Sequence, residues 1–392
     1  MSPDDARTTI GRRQLLSGAA VLGAGAAAMP LLSACGSGTA KGSAASQVAD
    51  LSAQEKKLVV ANWTLYIDSS GDRHPSIDAF TKKTGITVEY NEEINDNAEF
   101  FAKLRPQLSA GSGVGRDIIV MTDWMAARLV RLGWVQELDD AKIPNKANLL
   151  PALKSPSFDP ERRYSMPWQS GFTAIAYNND VVDSPVTSIH ELLTRPDLKG
   201  RVALFTEMRD TLGLVMLDLG FDPSEFTDDQ FNQALAVVQD AVDSGQIRYF
   251  ADANYGRDLA RGDLAASMSY SGDVFQLQLD NPELRLVIPD AGVVLWSDNM
   301  LIPVGATHKS NAEAWMNYYY DPKVAAQVAA WVNFISPVVG AKDAMKSIDP
   351  KLAKSPLIFP TEEDLAGGRI FMALDANQDA AYSEQWAAVM GV

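Results

Sequence analysis

The sequence predicts an α/β protein of two lobes, each a mostly parallel β-sheet flanked by helices, with a ligand cleft between the lobes. From residue 58, short apolar runs alternate with amphipathic segments, which is typical of strands and helices that follow one another in a parallel sheet. A second run of this kind begins after residues 165–178. About 350 residues remain behind an export signal, and this length is sufficient for two hydrophobic cores.

The first run contains three strand–helix pairs. Two of its helices end at Gly85 and Gly133, and residues 86–93 alternate between apolar and polar side chains as a strand does. Ligand positions are expected at the carboxyl ends of such strands. The predicted order is strand 58–63, helix 74–85, strand 86–93, helix 97–111, strand 117–122 and helix 123–133.

The second run predicts further strands and helices and ends with two late helices. The helix over 227–245 has a capping box formed by Thr227 and Gln230, and it stops at Gly245. The chain is expected to cross between the lobes more than once. The predicted elements are strands 201–206, 263–273 and 284–290, and helices beginning near residues 187, 208, 227, 311 and 321. We expect lobe 1 to comprise 57–173 and 274–312, and lobe 2 to comprise 174–273 and 313–392.

Composition argues against several classes of function. The formal net charge of −16 disfavours nucleic acid as a partner, because phosphate binding needs a basic patch, whereas an acidic surface is compatible with cationic ligands. His74, His190 and His308 are far apart in the sequence, so no zinc site is expected. The sequence also lacks the motifs of serine hydrolases and nucleotide-binding proteins. We therefore expect neither an enzyme nor a bound metal or cofactor.

The first 35 residues are predicted to be an export signal with a lipidation site. Arg12 and Arg13 precede an uncharged run over 15–32, and this pair suggests the twin-arginine route, with the general export route as the alternative. The signal ends in LSAC, which resembles a bacterial lipobox with Cys35 as the lipidated residue. An incidental cysteine behind a cleaved signal is the other interpretation. Residues 36–56 are small and polar, as in a flexible tether.

A series of phrases resembles the spermidine/putrescine-binding proteins of bacterial ABC transporters, and the resemblance covers residues 57–392. The phrases in order are LVVANWTLYID, FTKKTGITVEYNEE, DIIVMTDWMAARLVRLGWVQELD, YSMPWQSGFTAIAYN, SYSGDVFQLQ, WSDNMLIP and NAEAWMNYYYDPKVAAQVAAWVNFISP. The resemblance implies a type II periplasmic-binding-protein fold. It also implies a monomeric binding protein that captures putrescine or spermidine by hinge closure. Together with the predicted signal and lipidation site, this predicts a lipoprotein at the outer face of the cell membrane. The partner would be an ABC permease with a cytoplasmic ATPase.

A polyamine makes clear demands on its site. Each ammonium group needs a carboxylate, and the methylene groups between them need flat apolar walls, which aromatic rings provide while also attracting the cations. Asp273 and Asp298 match ammonium-binding acids of the resembled family, Thr122 and Trp124 match a serine–tyrosine pair, and Tyr270 stands where the family usually has Trp. The candidate ligand-binding residues are Trp63, Thr64, Tyr66, Thr122, Trp124, Trp168, Glu207, Asp210, Tyr255, Tyr270, Asp273 and Asp298.

Some of these residues have a second interpretation. Thr122 also fits the N-cap of a helix, and Glu207 and Asp210 also fit the acidic first turn of a helix. If both acids reach the cleft, a longer polyamine is favoured, and otherwise a diamine. Trp296 fits either the cleft wall or the core, and Asp96 is expected in a solvated acidic loop.

The alternative ligand is another small amine or an amino acid derivative such as an opine. A ligand that carries a carboxylate would need an arginine in the cleft, and Arg209 is the candidate for that role. The position of its guanidinium group therefore distinguishes the two hypotheses.

Overall fold

The computed structural model describes residues 48–252, 254–361 and 367–392. Cys35, the predicted export signal and most of the predicted tether lie outside these residues. Within the described ranges, no helix is both long enough and apolar enough to cross a bilayer.

The strands and helices of the described residues confirm the predicted elements to within a few residues. The strands are β1 Lys57–Trp63, β2 Thr87–Ile94, β3 Ile118–Thr122, β4 Ser165–Asn178, β5 Val202–Phe205, β6 Ile247–Ala251, β7 Ala266–Tyr270, β8 Leu284–Val287, β9 Val293–Leu301 and β10 Gly368–Ile370. The helices are α1 Pro75–Thr84, α2 Asn97–Ser109, α3 Asp123–Leu132, α4 Ile189–Thr194, α5 Met208–Asp218, α6 Asp228–Asp243, α7 Tyr255–Arg261, α8 Ser271–Asp280, α9 Lys309–Tyr319, α10 Pro322–Val332, α11 Ala341–Met345 and α12 Ala376–Met390.

The strands pair into one continuous ladder in the order β2-β1-β3-β9-β4-β7-β5-β6, with β8 beside β4 and β10 beside β9. The pairs at the two flanks are parallel, as predicted, because each is joined by a helical crossover. In the middle, β9 is antiparallel to both β3 and β4, and β4 is antiparallel to β7. The two parallel units are thus joined through the long strands β4 and β9.

Hydrophobic side chains gather at the two flanks of this ladder. The first core covers both faces of β1, β3 and β9: Ile118 and Val120 pack on one face and Ile119 and Met121 on the other. The strands of this core are therefore apolar on both faces, as expected for a sheet covered by helices on each side. The second core surrounds β5 and β7 and includes residues of α4 to α8 and α12.

The lobe boundaries remain a prediction. The packing of the side chains favours changing them in two places. Val274 and Leu284, placed in lobe 1 by the sequence, pack in the second core. Trp315 and Tyr319, placed in lobe 2, pack in the first core, where Tyr319 stacks on Trp168 with ring centroids 4.2 Å apart. The helices α9 to α11 thus return to the first core, and α12 goes to the second.

The chain just before β1 is bound to the start of α9. The carboxylate of Asp50 accepts a hydrogen bond from the hydroxyl of Ser310, and Asn311 donates its side-chain amide to the carbonyl groups of Glu55 and Lys57 at 2.9 and 2.7 Å. The backbone N–H of Asn311 also bonds the hydroxyl of Ser52. Of the tether predicted over 36–56, the described part from Asp50 onward is therefore bound to the fold.

Candidate ligand-binding site

A cavity lies where the carboxyl ends of β1, β3, β5 and β7 meet, as expected for a sheet whose strand order reverses between two units. Loops after strands of both cores contribute to it. Nine of the twelve predicted residues line this cavity: Trp63, Thr64, Tyr66, Thr122, Glu207, Asp210, Tyr270, Asp273 and Asp298.

The other three predicted residues are not in the lining but contact residues that are. Trp168 is almost fully buried and donates its indole N–H to the carbonyl of Tyr66 at 3.1 Å. Tyr255 donates its hydroxyl to Asp273 Oδ2 at 3.1 Å. Trp124 donates its indole N–H to Glu207 Oε2 at 3.1 Å. All three thus orient lining residues from behind the cavity wall.

Asp298 lies on the central strand β9, between two hydroxyl groups from the first core. Tyr66 donates to Oδ2 at 2.9 Å, and Thr122 donates to Oδ1 at 2.7 Å. Thr122 does stand at the N-cap position of α3, but its side chain makes no capping hydrogen bond. Burial raises the pKa of Asp298 to about 7, although both hydrogen bonds favour the ionised form.

Asp210 and Asp273 extend the acidic lining into the second core. Asp210 accepts hydrogen bonds from Thr173 Oγ1 at 2.5 Å and from the hydroxyl of Tyr270 at 3.5 Å. Burial, and next the negative charge of Glu207, raise the pKa of Asp210 to about 8. Burial likewise raises the pKa of Asp273 to about 7. Each of these carboxyl groups has only neutral hydrogen-bond donors as described partners, so each can accept a cation.

Glu207 differs from the other acids because it already has a cationic partner. Its Oε1 lies 3.5 Å from Arg209 Nη1 and accepts the backbone N–H of Arg209 at 3.3 Å. Glu207 is also the N-cap residue of α5, so it both starts the helix and lines the cavity. Burial raises its pKa, and the charge of Arg209 acts in the opposite direction.

Aromatic rings form the apolar walls between these acids. Trp296 makes edge contacts with Tyr270 and Phe334, with ring centroids 5.5 and 5.4 Å apart, and Phe334 in turn meets Tyr66 at 5.3 Å. The indole of Trp296 lies directly over Gly171 of β4, where a Cβ atom would stand 2.5 Å from the ring. Only glycine at this position leaves room for Trp296 in the wall.

Sequence reasoning missed several lining residues. Some of them follow β2, β5 and β6, where the rule that ligands lie at the carboxyl ends of strands predicts lining residues. Phe334 follows the helix α10, and this rule does not predict it. Asp96, expected in a solvated loop, caps α2 and also accepts a hydrogen bond from Thr206 at 3.3 Å. The additional lining residues are Leu65, Asn95, Asp96, Asn97, Thr206, Ala251, Asp252, Trp296 and Phe334.

The charge of the lining is negative throughout the part that the structure describes. Asp and Glu side chains reach it from both cores, and none of the described lining residues is Lys or Arg. The guanidinium group of Arg209 is engaged elsewhere, since its Nη2 donates to Asp379 at 2.7 Å. A cavity of this kind can hold a slender cation between aromatic walls, and it offers no counter-ion to an anion.

Comparisons with known proteins agree with this arrangement. Residues 76–360 match a family model described as bacterial extracellular solute-binding protein. The spermidine/putrescine-binding periplasmic protein of Escherichia coli (strain K12) is 26% identical over 311 residues, which cover 79% of this chain and 85% of that protein. The putrescine-binding periplasmic protein PotF of the same strain is 29% identical over 362 residues, which cover 87% of this chain and 93% of that protein.

A solved structure shows the same fold. The spermidine/putrescine ABC transporter substrate-binding protein PotD from Streptococcus pneumoniae, determined with calcium and HEPES, is 25% identical. The match has a TM-score of 0.69 and covers 85% of this chain and 98% of that one. The two-lobed architecture predicted from the sequence is thereby confirmed.

Proposed function

Because the chain belongs to the bacterial extracellular solute-binding protein family, we propose that it captures a polyamine and delivers it to an ABC permease. The observation that carries this proposal is the cavity, in which buried carboxyl groups from both cores stand between aromatic walls. Membership of this family also confirms the prediction of a binding protein rather than an enzyme. The names of the relatives, which include both spermidine and putrescine, support a polyamine as the ligand.

A triamine such as spermidine fits the lining better than a diamine. Both Glu207 and Asp210 line the cavity, and this was the condition under which the sequence favoured a longer polyamine. Asp210, Asp273 and Asp298 offer three carboxyl groups with neutral described partners. Three ammonium groups would neutralise these three carboxylates without leaving a buried charge unpaired.

The alternative ligand, an amino acid derivative or opine, fits less well. Its carboxylate would need a cationic partner, and Arg209 is not among the described lining residues. Arg209 pairs instead with Glu207 and Asp379. A carboxylate in this cavity would face only like charges, so its binding would be unfavourable.

Hinge closure is the proposed mechanism of capture. The long strands β4 and β9 run through the middle of the ladder and join the two parallel units, and a small change in their twist would open the cavity. Since both cores contribute acids, the closed form would bind the ligand more tightly than the open form does, and it is the closed form that the permease would recognise. The expected monomer suffices for this mechanism, with a cytoplasmic ATPase driving the permease.

A lipid on Cys35 belongs to the same proposal and would hold the protein at the outer face of the cell membrane. The residues that support it are the twin arginines, the uncharged run and the LSAC sequence that ends at Cys35. We expect labelled palmitate to appear in the wild-type chain and not in a Cys35→Ala variant. Equal labelling of the two proteins would contradict the anchor and leave the ligand proposal intact.

Calorimetry with the mature chain tests the ligand. We expect spermidine to bind at least about tenfold more tightly than putrescine, since a further hydrogen bond to a charged group contributes about 1.5–3 kcal/mol. γ-Aminobutyrate, which has one ammonium and one carboxylate, is expected not to bind. If no amine binds, the polyamine proposal is wrong. Tight binding of γ-aminobutyrate would favour the alternative ligand.

A further inference from the structure

Outside the cavity, a buried carboxylate on the last helix is surrounded by arginine side chains. Asp379, in the first turn of α12, accepts a hydrogen bond from Arg209 Nη2 at 2.7 Å and two from Arg128, of which the one from Nε is 3.0 Å long. Arg131 Nη2 lies 3.9 Å away. Asp379 is only 6% exposed, so these pairs are shielded from water and hold the groups in a fixed arrangement.

The partners of Asp379 belong to opposite cores. Arg128 and Arg131 are on α3, whose Met125 and Leu129 pack in the first core. Asp379 is on α12, whose Tyr382 packs in the second core, as does much of α5, the helix that bears Arg209. The pair between Arg128 and Asp379 therefore joins the two cores directly, at a point away from the strands that connect them.

Trp124 contacts both of the guanidinium groups that Asp379 binds. The guanidinium carbon of Arg209 is 3.7 Å from the ring centroid of Trp124, and that of Arg128 is 5.0 Å from it. Arginine over an indole face is an attractive contact. The same indole donates its N–H to Glu207, which lines the cavity. An alternating series of charges thus runs from Glu207 through Arg209 and Asp379 to Arg128.

We propose that Asp379 is a positioning residue for ligand capture, which fastens α3 to α5 and α12 and so holds the cavity closed on the side of Glu207. Without this carboxylate, the neighbouring guanidinium groups of Arg209, which is buried, and Arg128, which is partly buried, would lose their common counter-ion. Their repulsion would push the first core away from the second. This inference rests on the proposed function, because it assigns Asp379 a role in retaining the polyamine.

The test measures how fast spermidine leaves the full mature chain, with stopped-flow tryptophan fluorescence as the readout. In Asp379→Asn we expect the dissociation rate to rise about 10- to 100-fold and the association rate to stay within about threefold, because the open form that meets the ligand is unchanged. Asp379→Glu keeps the negative charge. We expect it to raise the logarithm of the dissociation rate by no more than half as much as Asp379→Asn does. A purely structural defect would not distinguish the two rates or respond to the restored charge.

Two further variants sharpen the test. Asp375→Asn is the matched control: it lies on the same helix, Asn serves as an N-cap equally well, and Asp375 bonds only its own helix among its described contacts. We expect its rates to equal those of the wild type. Combining Arg128→Met with Asp379→Asn is expected to raise dissociation no further than Asp379→Asn alone, because both changes break the same pair.

The inference is overturned if Asp379→Asn leaves the dissociation rate within twofold of the wild type, or if the effects of the two changes multiply. Failure of the proposed function looks different, since the wild-type chain would then bind no amine. In that event, small-angle scattering of the chain without ligand tests whether Asp379 fastens the two cores. Asp379→Asn must then enlarge the average radius of gyration relative to the wild type and to Asp375→Asn, because fewer of its empty molecules would be closed while the open form itself is unchanged. Equal radii reject the fastening role.

Discussion

Replacing Asp298 by Asn is expected to weaken spermidine binding about 100-fold or more and, at pH 8, to make the empty protein more stable. The loss of binding follows because an ammonium group would be buried without its carboxylate, which costs at least about 3 kcal/mol. The gain in stability follows because burial raises the pKa of Asp298 to about 7. At pH 8 the folded protein must then keep an unfavourable buried charge, and Asn removes it at a gain on the order of 2 kcal/mol.

Calorimetry and urea unfolding, both at pH 8, measure the two effects. Asp290→Asn is the matched control, since Asp290 is exposed and lies outside the described lining of the cavity. We expect that variant to change neither quantity. If Asp298→Asn binds spermidine as tightly as the wild type does, Asp298 is not an ammonium partner. A loss of stability together with binding would instead assign Asp298 a structural role.

Spermidine affinity is expected to rise by at least about two orders of magnitude between pH 6 and pH 8. The pKa values of Asp273 and Asp298 are raised to about 7 and that of Asp210 to about 8, in each case chiefly by burial. At pH 6 these groups are therefore mostly protonated, and binding of a cation has to release their protons. Aliphatic ammonium groups, with pKa values near that of lysine at about 10.4, stay charged over this range.

The stability of the empty protein should change in the opposite direction. An acid whose pKa is raised on folding contributes stability that is complete below its unfolded pKa of about 4 and is lost as the pH rises through the folded value. The empty protein should thus lose stability between pH 4 and pH 8. Spermidine should restore it more at pH 8 than at pH 6.

Calorimetry in two buffers of different ionisation enthalpy counts the released protons directly. At pH 6.5 the wild type should release more than one proton per spermidine bound, and Asp298→Asn should release fewer. An affinity that is flat or falls from pH 6 to pH 8 would contradict the assignment of these acids as ammonium partners.

Most of the elements could be predicted from the sequence because local signals mark them. Gly85 and Gly133, both in the left-handed conformation, end their helices as expected, and the capping box of Thr227 and Gln230 is formed. The central strand β9 was not predicted, although part of it carries a motif of the site. Its pairing joins residues more than 100 positions apart, as between Asp298 and Gln169, and no local pattern reports such a contact.

Glu207, Asp210 and Asp273 could be predicted because they follow strands at one edge of the sheet, whereas Asp298 lies within β9 and could be predicted only from its match to the resembled family. What the sequence could not show is which of them already have partners. Glu207 and Asp210 look alike as acids at the start of α5, yet one is paired with Arg209 and the other is not. That difference depends on Asp379, which holds Arg209 from a helix 170 positions away.

Trp331 shows that the apolar character of a residue does not by itself predict its burial. It stands in an amphipathic helix, yet 43% of its surface is exposed. The neighbouring helix does bury Tyr319, and Tyr320 directly after it is buried as well. A large apolar residue thus indicates burial only when its position on the helix faces a neighbouring element.

The attachment of Asp50 to the start of α9 sets how far the protein could travel from a lipid on Cys35. Only 15 peptide steps separate these two residues, and a fully extended chain of that length reaches about 50 Å. With a lipid on Cys35, so short a connection would confine the loaded protein to a thin layer above the bilayer. Beside a permease its effective concentration would be in the millimolar range, so even a weak docking contact would be occupied for much of the time.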